Sequence, residues 1–413
     1  MLRVQLLLAL KVLRRRPFFT AVSLVGIGLT LLVLTVAAAI FDHAFAATPP
    51  ETRLDRTLLV SRLELAGEHW TSTSSLGYRF VDRYLRGLPG VERMAVASEI
   101  QGGFSYVGGE RVRSYLKRTD ADFWRILSFS FVEGGPFGHE DVAEGRRVAV
   151  VNEATRGRLF GGQPALGRTV ELDGERYRVV GVVRDVPLLR VVPFADVWVP
   201  FTAQASDDWR QGLQGSFTAI LLAGSPGDFP RIRAELASRV ASVDFAGTNF
   251  TRAEARALTL FETFAALLRM GRRGTDAGAQ LVIATLLALA VGFMVLPVVN
   301  LVNLNVSRAL ERASEIGVRR AFGASRATLV RQLVVENVVV TLVGGLAALA
   351  ATEGALRLLT ASALVAYADF HVNLRVFAWG LAFAVVFGIL SGAWPAWRLS
   401  RLHPVEALRG GAR

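Results

Sequence analysis

The sequence has 413 residues, a net charge of +12, no cysteine and 52% hydrophobic residues. Its mean hydropathy is +0.39, and the apolar residues gather in blocks, which excludes an ordinary soluble protein and points to a membrane protein. Among 47 basic residues only Lys11 and Lys117 are lysine; much of this charge flanks apolar blocks, so it reads as membrane orientation rather than nucleic-acid binding.

Residues 1–17 carry Arg3, Lys11, Arg14, Arg15 and Arg16 and no acid, with Leu2, Leu6, Leu7, Leu10 and Leu13 at helical spacing. This predicts a basic amphipathic helix on the inner membrane face. Residues 18–41 form the first spanning candidate. The run is longer than the h-region of a cleaved signal peptide, so a retained helix is expected despite Ala44-Phe45-Ala46.

Residues 42–250 read as a large polar domain of α+β type. A helical run over 76–88 stops at Pro89-Gly90. Residues 104–118 predict a hairpin around Gly108-Gly109, and 169–183 a second around Asp173-Gly174, a pair that type I′ turns prefer. Strands are expected at 148–151, 196–201 and 218–222, and helices at 153–160 and 231–240, the latter after Pro230. Thr251-Arg252-Ala253-Glu254 fits a capping box, followed by an apolar stripe from Leu258 to Leu268. Residues 251–279 are therefore expected to form a stalk leading to the membrane, or simply the last helix of the domain.

Residues 280–306 and 328–352 are apolar runs long enough to span a bilayer, which takes about 20 residues. Between them, 307–327 is short, basic and helical in pattern. Arg308, Glu311, Arg312, Glu315 and Arg319 make a charged strip, and Gly323-Ala324-Ser325 a break with Ser325 as the next N-cap. A soluble partner acting on this segment would move two helices at once. Residues 353–375 read as a loop, 376–397 as the fourth span with Trp394 and Trp397 at its end, and 398–413 as a basic tail.

The expected architecture is thus an α-helical membrane protein: four transmembrane helices with a large α+β extracytoplasmic domain inserted between the first and second. Lys and Arg number five in the N-terminal tail, five in 307–327, four in the C-terminal tail and two in 353–375. The positive-inside rule then places both termini and 307–327 in the cytoplasm, and the large domain outside.

Catalytic signatures are missing. A phosphate-cradling loop needs Gly-Lys-Ser/Thr, yet both lysines follow leucine. The five histidines are scattered without metal-ligand spacing. Within the spans, Glu336 and Asn337 are membrane-embedded polar residues; Glu336 is read as pairing with Arg326 or Arg331 near the interface, with a proton relay as the alternative. Gly380, Ala384, Gly388 and Gly392 recur at i, i+4 along the fourth span, and Gly344-Gly345 lie in the third; small residues so spaced predict closely packed helices.

The segment Glu311-Arg312-Ala313-Ser314-Glu315-Ile316-Gly317-Val318-Arg319-Arg320-Ala321-Phe322-Gly323-Ala324 resembles the ERxxEIGxRxAxGA phrase of FtsX-like permease domains of MacB-type ABC systems. Residues 395–409, with Pro395-Ala396 and Pro404-Val405-Glu406-Ala407-Leu408-Arg409, look like that family's C-terminal motif. Asp122-Phe123-Trp124, Glu133-Gly134-Gly135-Pro136-Phe137 and Leu159-Phe160-Gly161-Gly162 resemble the MacB-type periplasmic core domain. Pro297 and the asparagines at 300, 303 and 305 depart from the pattern.

The resemblance implies a multi-pass protein of a bacterial inner membrane, with two permease subunits per complex. It implies a separate ABC ATPase on the cytoplasmic face, and no cofactor of the chain's own. The ATPase-coupling residues would be Glu311, Arg312, Glu315, Ile316, Gly317, Arg319, Arg320, Gly323 and Ala324. The expected function is that of a permease subunit turning ATP hydrolysis elsewhere into movement of the outer domain, with a periplasmic adaptor as an optional partner. The alternative is an FtsX-like regulator that switches a periplasmic partner such as a cell-wall hydrolase.

Overall fold

The computed structural model describes residues 17–107, 110–245, 249–268, 280–289, 291–293, 295, 318, 325–362 and 364–399. The chain divides into two compact units: Met1–His43 with Leu281–Leu364 and Asp369–Arg413, and Ala44–Gln280 with Val365–Ala368. The first described element is the helix α1 (Pro17–Phe45), apolar along its length. It stops where Pro49 and Pro50 withdraw backbone donors and disfavour helix before them.

In the larger, outer unit, fourteen strands form one mixed sheet among the described residues. In chain order they are β1 (Thr57–Val60), β2 (Leu63–Ala66), β3 (Thr71–Leu76), β4 (Val91–Ser98), β5 (Gln101–Val107), β6 (Glu110–Thr119) and β7 (Phe131–Gly134). Then come β8 (Val148–Asn152), β9 (Thr169–Leu172), β10 (Glu175–Val183), β11 (Val197–Pro200), β12 (Gln214–Gly215), β13 (Phe217–Ala223) and β14 (Arg252–Ala255). The main hydrogen-bonded order is β14-β2-β3-β13-β4-β6-β11-β8-β10-β7. Parallel pairing of β10 with β8 and of β11 with β6 sits in the interior of this order. Accordingly β8 and β11 are buried at every position and read as continuous apolar runs rather than alternating ones.

Four helices of this unit matter below: α2 (Ala121–Ile126), α3 (Glu153–Phe160), α4 (Phe229–Ala241) and α5 (Leu260–Leu268). The helix expected over 153–160 has those bounds. Asn152 Oδ1 accepts from the Thr155 N–H at 2.8 Å, and Gly161 closes the helix at φ 60°, a left-handed position that glycine takes without strain. On α4, Ile232, Leu236 and Val240 form an i, i+4, i+8 stripe, fully buried against Leu58, Phe80, Leu85 and Leu221. Each such side chain contributes about 1.5–3 kcal/mol by leaving water. A separate cluster centres on Phe123, Trp124, Phe137, Phe194 and Trp198.

Both expected hairpins form. β5 and β6 pair to Val107 against Glu110; the Gly108-Gly109 turn itself lies outside the described residues. β9 and β10 pair to Leu172 against Glu175, and Asp173 and Gly174 both take positive φ, 50° and 82°, as a type I′ turn demands.

The expectation at residues 251–254 fails. Thr251-Arg252-Ala253-Glu254 does not cap a helix: Arg252–Ala255 is β14, registered on β2 from Arg252 opposite Ala66 to Ala255 opposite Leu63. The ladder bonds offered by β2 outweigh a local helix signal in this short segment. The same box recurs eight residues on, as Thr259-Leu260-Phe261-Glu262, and there it works. The Thr259 N–H donates to Glu262 Oε2 at 2.7 Å and the Glu262 N–H to Thr259 Oγ1 at 3.2 Å, starting α5 at Leu260.

In the other unit the described helices are the body of α1, a stretch within 280–295, α6 (Arg326–Ala361) and α7 (Leu374–Leu399). Two described helices, Thr20–Phe45 and Val330–Ala361, are long and apolar enough to cross a membrane; Gln280–Phe293 and Leu374–Leu390 are shorter apolar helices. Ser325 caps α6 as expected, accepting from the Thr328 N–H at 3.3 Å. The helix runs on to Ala361, past the expected boundary at 352, because Leu356, Leu358 and the Glu353–Arg357 pair at i, i+4 continue its pattern. The amphipathic helix expected over 1–17 lies outside the described residues save for Pro17, and so does the basic tail 400–413.

Candidate functional site

All nine coupling residues inferred from the sequence, Glu311, Arg312, Glu315, Ile316, Gly317, Arg319, Arg320, Gly323 and Ala324, lie outside the described residues. Glu336 and Asn337 are described, on the first half of α6, and both are buried. For Asn337 the chemistry is one of helix contact. Asn337 Nδ2 donates to the Gly388 carbonyl on α7 at 3.3 Å, and Thr341 Oγ1 donates back to the Asn337 carbonyl at 2.9 Å.

Glycines make this approach feasible. A Cβ on Gly388 would stand 2.9 Å from Thr341 Oγ1, one on Gly345 2.5 Å from a Leu381 methyl, and one on Gly344 3.3 Å from Ile27. The small-residue spacing in the third and fourth apolar runs therefore serves close packing of α1, α6 and α7 within one chain.

The outer unit holds two polar constellations that sequence reasoning missed, both on residues 184–196 between β10 and β11. The first is a buried cation–carboxylate set. Arg190, 4% exposed, donates to Glu51 Oε2 at 3.1 Å, to the Ala46 carbonyl at 3.2 Å, to the Thr48 carbonyl at 3.3 Å and to Thr48 Oγ1. Burial raises the Glu51 carboxyl above its ordinary range, against the pull of Arg190. Beside them Lys117, on β6, is buried with Nζ donating to the Val191 carbonyl at 2.8 Å and to that of Val192. Desolvation lowers this ammonium to about 7, opposed by the charge of Glu51.

The second constellation centres on Asp196, 1% exposed. Its carboxylate accepts from the Tyr115 N–H at 2.9 Å, from Asn152 Nδ2 at 3.2 Å and from the Tyr367 hydroxyl at 2.6 Å, with Arg158 at 3.2 Å. Tyr367 belongs to Val365–Ala368, the piece of the loop between α6 and α7 that forms part of the outer unit. Burial, then the Asp196 hydrogen bond, push its hydroxyl well above the usual phenol range, so it stays a donor. Tyr367 takes a positive φ of 57°, uncommon outside glycine, and is held there by these contacts.

The family of MacB-like periplasmic core domains matches residues 20–239, and that of FtsX-like permease C-terminal regions matches 287–404. The chain belongs to the MacB/FtsX-type ABC transporter permease family. Among curated relatives of this permease is the uncharacterized ABC transporter permease YknZ of Bacillus subtilis, 24% identical over 80% of this chain and 79% of that one. YvrN of the same organism, another uncharacterized ABC transporter permease, is 25% identical over 70% and 69%. The macrolide export ATP-binding/permease protein MacB of Chromobacterium violaceum is 27% identical over 70% of this chain but 42% of its own length.

The periplasmic-core motifs read from the sequence include Asp122-Phe123-Trp124 and Phe137. Phe123, Trp124 and Phe137 fill the cluster around Trp198, and Asp122 bonds Arg93 at 2.6 Å, so this motif acts by packing α2 onto the sheet. Glu133 holds Arg156 at 2.6 Å and accepts from the Ala165 N–H at 3.1 Å, fixing β7 against α3.

Proposed function

We propose that this permease is the transmembrane subunit of an export or mechanotransmission complex, driven by a separate ABC ATPase at the cytoplasmic face. Residues 311–324 receive the ATPase, and the outer unit is the body that moves. The chain crosses a bacterial inner membrane four times, with both termini in the cytoplasm, and works as a pair of permease subunits. Support comes foremost from one observation: a MacB-like periplasmic core domain and an FtsX-like permease region share one chain. An outer domain of this size favours export over a minimal regulatory ectodomain.

Affinity purification from membranes tests the reading. The parent chain should carry an ATP-hydrolysing protein, and reversing charge at Arg319 and Arg320 should remove that protein while leaving the permease in the membrane. An undiminished pull-down of the ATPase by the reversed variant would sink the coupling role. Recovery of an envelope adaptor would support export; recovery of a cell-wall hydrolase would favour the regulatory alternative.

A further inference from the structure

We infer that the β10–β11 connection, residues 184–196, is the hub through which motion of α1 and of the α6–α7 loop reaches the sheet, with Arg190 and Tyr367 as its positioning residues. This rests on the functional reading above, in which the outer unit is moved from the membrane side.

The hub gathers two pieces of chain far apart in sequence. Arg190 grips Ala46, Thr48 and Glu51, the residues that directly follow α1. The Leu188 N–H donates to the Ala366 carbonyl at 3.0 Å, and Asp196 accepts from Tyr367, so the same thirteen residues hold the loop between α6 and α7. Phe194 adds a ring contact to Tyr367, with centroids 6.3 Å apart.

The hub is also fastened to the sheet. Lys117 on β6 holds the Val191 and Val192 carbonyls. The Asp196 N–H donates to the Tyr115 carbonyl at 2.8 Å, the Asn152 N–H to the Asp196 carbonyl at 3.0 Å, and the Asp196 carboxylate takes Tyr115 and Asn152 in turn. β6 and β8 thus clasp its end from both sides. Buried charge-assisted bonds to a planar guanidinium and to a carboxylate with four partners fix direction as well as distance. A connection needed only to join two strands would leave its polar groups to water, as surface loops do. This one presents two buried ionic groups, Arg190 and Asp196, to two chain segments that each continue into a membrane helix.

The test uses the full chain with its co-purifying ATPase in lipid nanodiscs. The protein has no cysteine of its own, so an Arg176→Cys variant, at an exposed site on β10, carries a single environment-sensitive dye. Its emission should change when MgATP is added. Tyr367→Phe removes one hydroxyl from Asp196 and keeps the ring on Phe194. It should cut that response by about threefold or more, with the melting temperature within roughly 3 °C of the parent. A smaller cut, or a larger fall in melting temperature, overturns the inference. Hydrogen exchange supplies a second arm without any variant: peptides spanning 185–196 and 364–370 should stay protected with and without MgATP. Opening of either in one nucleotide state shows that the tie is not rigid and refutes the hub. A parent chain that gives no MgATP response refutes the functional reading itself, and the hub with it; a response retained in Tyr367→Phe refutes the hub alone.

Discussion

The two units of this chain solve opposite solvent problems with one alphabet. In the outer unit, large side chains such as Trp198, Phe123 and Tyr177 are sealed inside, and charged groups go under only in company, as Arg190 does with Glu51. In the helical unit, Leu346, Leu358 and Trp379 face outward, 65–73% exposed, while the close contacts belong to glycine and threonine. The lesson is about driving force. Where water surrounds a fold, removing apolar area from it holds the fold together; among lipid chains that force is absent, and close packing with a few hydrogen bonds replaces it.

The contrast can be broken deliberately. Trp198→Ala empties the centre of the outer cluster and should cost about 3–5 kcal/mol, read as loss of cooperative unfolding of the outer unit by tryptophan fluorescence in nanodiscs. A loss below about 1 kcal/mol would mean that this cluster relaxes like a loose contact rather than a packed core.

The next effect is one of pH. The unfolded chain binds a proton at Lys117 up to a pH near 10.5, the folded chain only up to about 7. Between those values the unfolded state holds the extra proton, so stability rises with pH. From pH 7 to 9 the gain is about 2.3 kcal/mol, and well below 7 this contribution is flat. Thermal melts across that window should slope upward in the parent and flatten in Lys117→Met. An equal slope in both would show that Lys117 is charged in the fold.

The smallest effect tests the helical unit. Gly388→Leu places side-chain atoms where Thr341 already stands, and should cost about 1–3 kcal/mol through overpacking. Subtilisin accessibility of α6 and α7 in nanodiscs would report it. If Gly388→Leu is neutral, α6 and α7 separate without penalty and close approach is not what binds them.

How much of this was legible in the sequence follows from range. Asp173-Gly174 announced its hairpin because the turn's φ requirement is carried by two adjacent residues. Asn152 and Gly161 bracket α3 for the same reason. The capping box was read at 251, whereas the one that forms stands at 259, and the ladder on β2 is what claims the first segment. The small residues of α6 and α7 showed a packing face without saying against what. Nothing pointed to Arg190 or Tyr367. Their partners Glu51 and Asp196 stand 139 and 171 positions away, and a lone arginine or tyrosine in a connecting stretch looks like any solvated side chain. The fourfold acceptor at Asp196 becomes meaningful only once the sheet brings β6, β8 and β11 together.

The sheet is also sewn shut at its two ends of sequence. β1 pairs with β13, Thr57 opposite Leu222, and β2 with β14, Leu63 opposite Ala255. The earliest strands to emerge during synthesis therefore wait for the latest, Thr57 for Leu222 and Leu63 for Ala255, with these edges open while the chain between them is made. Such non-local pairing is slow to nucleate and prone to stray association. Biogenesis, rather than the finished fold, is where this chain is most exposed to holdases and proteases of its compartment.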